Sequence, residues 1–295
     1  MSIESLLVPL GIALFAIPAI DLFRELFQPG GRGGIGHLVA RIVWRVLRAP
    51  ARRSPLIASL TGPIILLLTL AAWLGLSVLG WALMLTPAMN GSAFVGHEAG
   101  GAFVDALYLS LVTISTLGFG DVVPDADWAR LIVPLEALFG LGVAAGSISW
   151  LFNVQTVLSH RSTLATRIAM LEAAEGGTPD TLPIEQLDRS EALVMDLASH
   201  LASVHADLVH VPISYWFKTG EDRHSLPEQL AWLVHLADRC TVARDPIVRL
   251  HGGVLRRQLD GTLRDVAHEF LHLPRDTPSG EVLAAWRRDH SIAGA

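Results

Sequence analysis

The chain has 295 residues, 51% of them apolar and only 17% charged, with a formal net charge of −6. That balance favours a membrane protein over one large soluble core. The single cysteine, Cys240, excludes an intrachain disulfide and any multi-cysteine metal site. Neither a phosphate-cradling glycine loop nor a basic face with interleaved aromatics is present, so nothing points to nucleic acid.

Leu6 through Ile20 is apolar, interrupted only by Pro9, Gly11 and Pro18. With Leu22, Phe23, Leu26 and Phe27 it approaches the roughly 20 residues that cross a bilayer. A signal peptide is the rival reading. The segment Met1-Ser2-Ile3-Glu4-Ser5 lacks the basic residues that a signal needs, so residues 1–28 are read as a retained N-terminal transmembrane helix. Asp21 and Arg24, three apart, are spaced to pair.

Gln28 to Gly36 is a glycine-rich linker. Residues 37–53 then alternate with a helical period. Leu38, Val39, Ile42, Val43, Val46 and Leu47 form one stripe, with Arg41, Arg45, Arg48 and Arg52 opposite. Such a helix suits a membrane surface, its arginines at anionic headgroups. Spaced arginines also suit a voltage sensor, but that requires crossing the bilayer among partner acids. This run is short, Pro50 closes it, and no acids surround it.

Residues 54–153 are read as one module. Ser54 to Gly96 carries no charge, and Pro55 to Leu85 supplies an outer helix, with Gly62-Pro63 as a bend or start. Trp81 is placed as an interfacial aromatic. Pro87 to Gly101 reads as an exposed loop; its Asn90-Gly91-Ser92 matches a glycosylation acceptor that chance readily supplies. Ala106 to Val112 reads as a short helix, and Thr113-Ile114-Ser115-Thr116-Leu117-Gly118-Phe119-Gly120-Asp121 follows. Gly118 and Gly120, at alternate positions, tolerate positive φ at little steric cost. A backbone that alternates hand turns successive carbonyls toward one side. Four such ribbons around an axis make rings of oxygens that replace the water around a monovalent cation.

Thr116-Leu117-Gly118-Phe119-Gly120-Asp121 resembles the selectivity-filter signature of potassium channels, in the T-x-G-F-G-D form found in two-pore-domain and many bacterial two-helix channels. The resemblance covers roughly residues 55 to 153. It implies that potassium ions bind at Thr116, Leu117, Gly118 and Phe119, with Gly120 completing the filter and no other cofactor. Two side chains depart from the commoner T-V-G-Y-G pattern and put filter rigidity in question. Phe119 lacks a hydroxyl that bonds outward to the pore helix, and Tyr108-Leu109 stands where many relatives carry two tryptophans.

The second span runs from Ala129 to Phe152. Its Glu136 is an intramembrane carboxylate, which marks either function or a buried pair. Pairing with Ser110 or Thr113 behind the filter and a sensing role both stand open. Gly140 matches, by resemblance, the hinge glycine of bacterial inner helices; close packing through small residues is the other reading. Gly140, Glu136 and Phe152 are the gating candidates.

Residues 154–295 differ in composition, with 14 basic and 19 acidic residues. Val154, Val157, Leu164, Ile168 and Leu171 fit a heptad seam in which Arg161 is a misfit. Residues 184–217 read as an amphipathic helix or pair ending in Tyr215-Trp216-Phe217. Ser225 and Glu228 read as a capping box, Asp245-Pro246 as a helix start, and Gly280 to Arg288 as a last short helix. His200, His205 and His210, five apart, do not share the helical face a metal pair requires. No catalytic constellation has a recognisable setting.

Basic residues lie before the first pore span and after the second, and none falls between Arg53 and Arg130. The positive-inside rule therefore puts both pore-helix feet and the tail in the cytoplasm. Glu98, Asp105, Asp121, Asp125 and Asp127 then fall at the outer mouth, where repeated acids concentrate cations; Asp121, Glu98 and Asp125 lead this set. One filter strand per chain implies four chains in head-to-tail cyclic symmetry. The expectation is an all-α membrane protein, a homotetrameric potassium channel of the cell membrane with a cytoplasmic α-helical domain that modulates gating. A nonselective cation channel, a membrane-anchored signalling module and an enzymatic tail are the alternatives.

Overall fold

The computed structural model describes residues 3–27, 34–51, 54–96, 101–175, 191–217 and 225–290. The order is α1 (Ile3–Phe27), α2 (Ile35–Ala51), α3 (Pro55–Met89), β1 (Phe94–Val95), α4 (Ala102–Ile114), β2 (Val123–Pro124) and α5 (Asp127–Ala174). The tail follows with α6 (Glu191–His210), a 3-10 turn (Pro212–Trp216), α7 (Leu226–Thr241), α8 (Pro246–Glu269) and α9 (Ser279–His290). The protein is an all-α membrane protein. Among the described residues, four helices are long and apolar enough to cross a membrane: α1, α3, α5 and α6. Of these α6 is the least apolar, and it carries Asp196, His200, His205 and Asp207 along its length.

The described residues divide into two compact units, one of residues 1–39 and 65–152, the other of residues 40–64 and 153–295. In the first, α1 packs on α3 and α5. Its contact with α3 is a glycine crossing: a Cβ on Gly11 would stand 2.6 Å from the Gly80 carbonyl oxygen. Phe15 fills the space beside it, edge-on to Trp81 and Phe139 at centroid distances of 5.4 and 4.7 Å. Trp81 is therefore a buried packing residue rather than the interfacial aromatic its position suggests. Asp21 does not pair with Arg24 as expected. Its Oδ2 accepts from the Trp73 indole at 2.8 Å and from the Ile35 amide at 2.9 Å, fastening α1 to α3 and to the start of α2. Buried Trp150 of α5 donates to Glu25 at 2.9 Å. Polar atoms low in α1 thus go to indole and amide donors, as burial requires.

α3 runs unbroken through Gly62-Pro63, which neither start nor end it, and extends past Leu85 to Met89. Ala82, Leu85 and Met89 then share one core with Phe94, Ala106, Leu109, Val122, Ala129 and Val133. This core joins the outer helix, α4, the post-filter segment and α5.

In the second unit α6, α7 and α8 pack through Val194, Leu197, Leu201, Leu230, Leu233, Leu236, Leu255, Leu259 and Leu263, all buried. The heptad seam of Val154, Val157, Leu164 and Ile168 is buried within this same chain. Arg161 is no misfit, since it donates to the carbonyls of Ser214 at 2.6 Å and Phe217 at 2.5 Å. Asp245 caps α8, accepting from the Ile247 amide at 2.7 Å. Ser225 stands at the N-cap of α7, but its hydroxyl makes no capping bond. Glu228 turns instead to Arg287, 3.4 Å away, so the capping box does not form.

The glycine crossing gives a stability test. Gly80→Val forces side-chain atoms against Phe15 and the Gly11 carbonyl, which stand within 2.9 Å of the new Cβ. It is expected to lower unfolding stability by about 1–3 kcal/mol, read as a lower thermal midpoint in detergent.

Candidate ion-conducting site

The short helix α4 ends at Ile114, and its last carbonyls are taken up by the segment that follows. The Ser115 amide donates to Leu111, that of Thr116 to Thr113, and those of Leu117 and Gly118 to Val112, at 3.0 to 3.3 Å. The helix C-terminus is thereby satisfied locally, and the ribbon is anchored at its inner end.

Beyond this point the backbone changes hand at alternate residues. Thr116 has φ of 58°, Gly118 58° and Gly120 76°. Positive φ is cheap for glycine but not for a β-branched residue, so Thr116 is held there by its surroundings. Among the described residues, no hydrogen bond is donated to the carbonyls of Thr116, Leu117, Gly118 or Phe119. Every residue from Ser115 to Asp121 is exposed in the single chain. Four consecutive carbonyls without a donor form a row of oxygens available to a cation.

The outer end of the ribbon is clamped. The Tyr108 hydroxyl of α4 donates to Asp121 Oδ2 at 2.5 Å, and Asp121 Oδ1 accepts from the Val122 amide at 3.0 Å. The hydroxyl missing at Phe119 is thus offset by one supplied from α4, at a residue whose substitution the sequence made a source of looseness. Tyr108 also holds the Asp121 carboxyl below the ordinary carboxylate range. The antiparallel pair of β1 and β2 matches Phe94 with Pro124 and Val95 with Val123. It ties the loop after α3 to the segment after the ribbon. Gly96, at φ of 89°, lies so close to Asp121 that an added Cβ would stand 1.7 Å from its carbonyl oxygen. Sequence reasoning missed Gly96; it had been placed in a generic loop, and only the pairing reveals its role.

The acids expected at the outer mouth are less free than their placement suggests. Asp125 bonds Arg130 Nη2 at 3.2 Å, and Asp127 lies 4.0 Å from Arg130 Nη1. Asp121 is committed to Tyr108. Glu98 lies outside the described residues. Asp105, in the first turn of α4, has one buried oxygen without a partner. The cation Arg130, not weighed as a mouth residue, offsets part of the negative field there.

Behind the ribbon, α4 and α5 touch at two levels. A Cβ on Gly140 would stand 2.6 Å from the Ile114 carbonyl oxygen, so Gly140 is a close-packing residue within an uninterrupted helix. One turn earlier, Glu136 is fully buried beside Ser110. Neither its carboxyl oxygens nor the Ser110 hydroxyl is in hydrogen-bond geometry with any described group. Phe152, the third gating candidate, is exposed. Among the described residues no cluster of His, Cys, Asp and Glu is suited to hold a metal ion.

Residues 64–156 match the family model described as ion channel. The match takes in α4, the ribbon and most of α3, together with the first part of α5. The chain is 25% identical over 162 residues to the uncharacterized membrane protein YdjJ of Bacillus subtilis, covering 55% of this chain and 48% of that one. It is 33% identical over 125 residues to potassium channel subfamily K member 16 of Mus musculus, covering 38% and 41%. Two-pore potassium channel 5 of Arabidopsis thaliana is 34% identical over 56 residues, covering 18% and 14%. The chain spans less than half the length of each of these curated relatives. No solved structure matches it.

Two substitutions test the clamp. Gly96→Ala meets both a disfavoured φ and the Asp121 carbonyl, and is expected to destabilise the region by about 3 kcal/mol. Tyr108→Phe is expected to raise amide hydrogen exchange at residues 117–121 while leaving α3 and the tail protected. Because the bond holds the Asp121 carboxyl below its ordinary value, the pair forms above the unfolded pKa of about 3.9. It is lost only as pH falls through the lower folded value. After correction for intrinsic rates, protection at these residues should not change between pH 7.5 and 5.

Proposed function

We propose that the chain is one quarter of a potassium-selective channel. Four copies in cyclic symmetry surround a central axis, and each contributes the ribbon Thr116 to Gly120. The observation that carries this reading is the row of donor-free carbonyls at Thr116, Leu117, Gly118 and Phe119 on a backbone of alternating hand. A potassium ion sheds its water against such rings. Two relatives bear names of potassium channels, and the matched region is the one containing the ribbon.

The ends of the four α4 helices point their negative dipoles toward the inner cavity and favour cations there. Asp121 and its neighbours draw cations to the outer mouth, moderated by Arg130. The basic residues before α3 and after α5 support a tail on the cytoplasmic side of the cell membrane. Arg41 and Arg45, both exposed on α2, face anionic headgroups. Arg48 belongs to the same polar face by sequence, and Arg52 lies outside the described residues. The tail biases opening, with Gly140, Glu136 and Phe152 as the pore residues nearest the moving parts.

Purified full-length protein in a planar bilayer tests the reading. Reversal potentials should follow the potassium gradient and ignore sodium; equal permeability to both would point to a nonselective pore. Gly118→Ala places an L side chain at φ of 58°, a strain of about 1–2 kcal/mol in each of four copies. It is expected to abolish potassium current while the oligomer still forms. Arg130→Gln releases Asp125 and Asp127 and should raise conductance about twofold at 0.01 M salt. The gain should vanish near 1 M, where the Debye length falls to about 3 Å.

A further inference from the structure

Residues 40–64 and 153–295 form one compact unit, so the boundary cuts through α2, α3 and α5 rather than through a loop. The tail therefore packs with the feet of α2 and α3 and with the lower half of α5. Three independent contacts converge on one short segment, Tyr215-Trp216-Phe217. From α5, Arg161 is buried and donates to the carbonyls of Ser214 and Phe217, at 2.6 and 2.5 Å. Among the described residues no carboxylate pairs with it, so these carbonyls compensate its burial, and leaving it without them is costly. From α3, Gly62 is pressed against the Phe217 ring, and a Cβ there would stand 2.2 Å from Cδ1. From α2, the Trp44 ring lies 5.7 Å from His290. His290 in turn bonds the Tyr215 carbonyl at 2.8 Å and stands edge-on to its ring at 4.7 Å.

The segment is equally fixed on its tail side. Tyr215 is stacked on Phe270 of the α8 C-cap at 4.2 Å and 6°, and its hydroxyl donates to Asp289 of α9 at 2.9 Å. Trp216 is edge-on to the same Phe270 ring. The 3-10 turn and its C-cap Phe217 thus touch the tail helices and the feet of α3 and α5, and reach α2 through His290. Packed junctions of this kind are bistable rather than continuously deformable.

We infer that Tyr215-Trp216-Phe217 is the coupling segment through which the tail sets the position of the α3 and α5 feet, and hence the open probability of the pore. A shift of α8 or α9 moves the ring of Phe217 and the two carbonyls that hold Arg161. The α3 and α5 feet must follow or lose those contacts. This inference rests on the channel reading above and adds where the tail acts.

The test uses full-length protein in planar bilayers, under conditions where the unmodified channel is open part of the time. Gly62→Ala is expected to shift open probability about fivefold or more, because the new methyl group and the Phe217 ring claim the same space. In a Phe217→Ala background, where that ring is gone, Gly62→Ala should have no effect. Phe217→Leu frees space without adding any and is expected to shift open probability as well; it carries the test if Gly62→Ala does not assemble. Cys240 reports the fold: burial pushes its thiol up to about 11, so a folded tail resists maleimide. Open probability unchanged in both Gly62→Ala and Phe217→Leu, with Cys240 still protected, overturns the coupling. So does an equal effect of Gly62→Ala with and without the Phe217 ring. An unmodified protein that passes no ion overturns the channel reading itself, and the coupling with it, so the two failures are distinguishable.

Discussion

A peptide carbonyl without a donor is ordinarily a defect, and among the described residues this chain sets four of them in a row. Burying or crowding such oxygens costs energy unless something replaces the missing N–H. Thr116, Leu117, Gly118 and Phe119 keep theirs free because the local amides bond backwards into α4 and because the backbone changes hand at every second residue. In the proposed tetramer a dehydrated cation is the partner that satisfies all of these oxygens at once.

Most of the surrounding structure keeps that ribbon extended. Val112 accepts the Leu117 and Gly118 amides and fixes the inner end. Tyr108 and Asp121 fix the outer end, and Gly96 and the β1–β2 pair press on it from the side. Gly140 lets α5 approach the end of α4 closely, so α5 backs the last turn of α4 without a spacer. These are small contacts, but they act at both ends of a segment too short to hold its own shape. α1 joins the same framework through Asp21, Glu25 and the Gly11–Gly80 crossing.

The outer and inner spans, the short helix and the ribbon were legible in the sequence because apolar length and glycine spacing report directly on backbone needs. Asp245-Pro246 was legible as a helix start for a similar reason, since the cap is a contact between near neighbours. What could not be read were partners far apart in the chain. Asp21 looked poised for Arg24, three residues on, and instead serves Trp73 and Ile35. Arg161 looked like an error in a heptad and turned out to hold carbonyls more than fifty residues away. Spacing carries no information about such pairings, whereas a hydrophobic period or a positive-φ glycine is a local demand.

The most direct measurement is anomalous scattering from thallium or rubidium in a structure of the full-length protein determined in that salt. The account predicts a line of density peaks on a fourfold axis, level with the carbonyls of Thr116, Leu117, Gly118 and Phe119. Peaks absent from that axis, or a ribbon turned toward lipid, would contradict it.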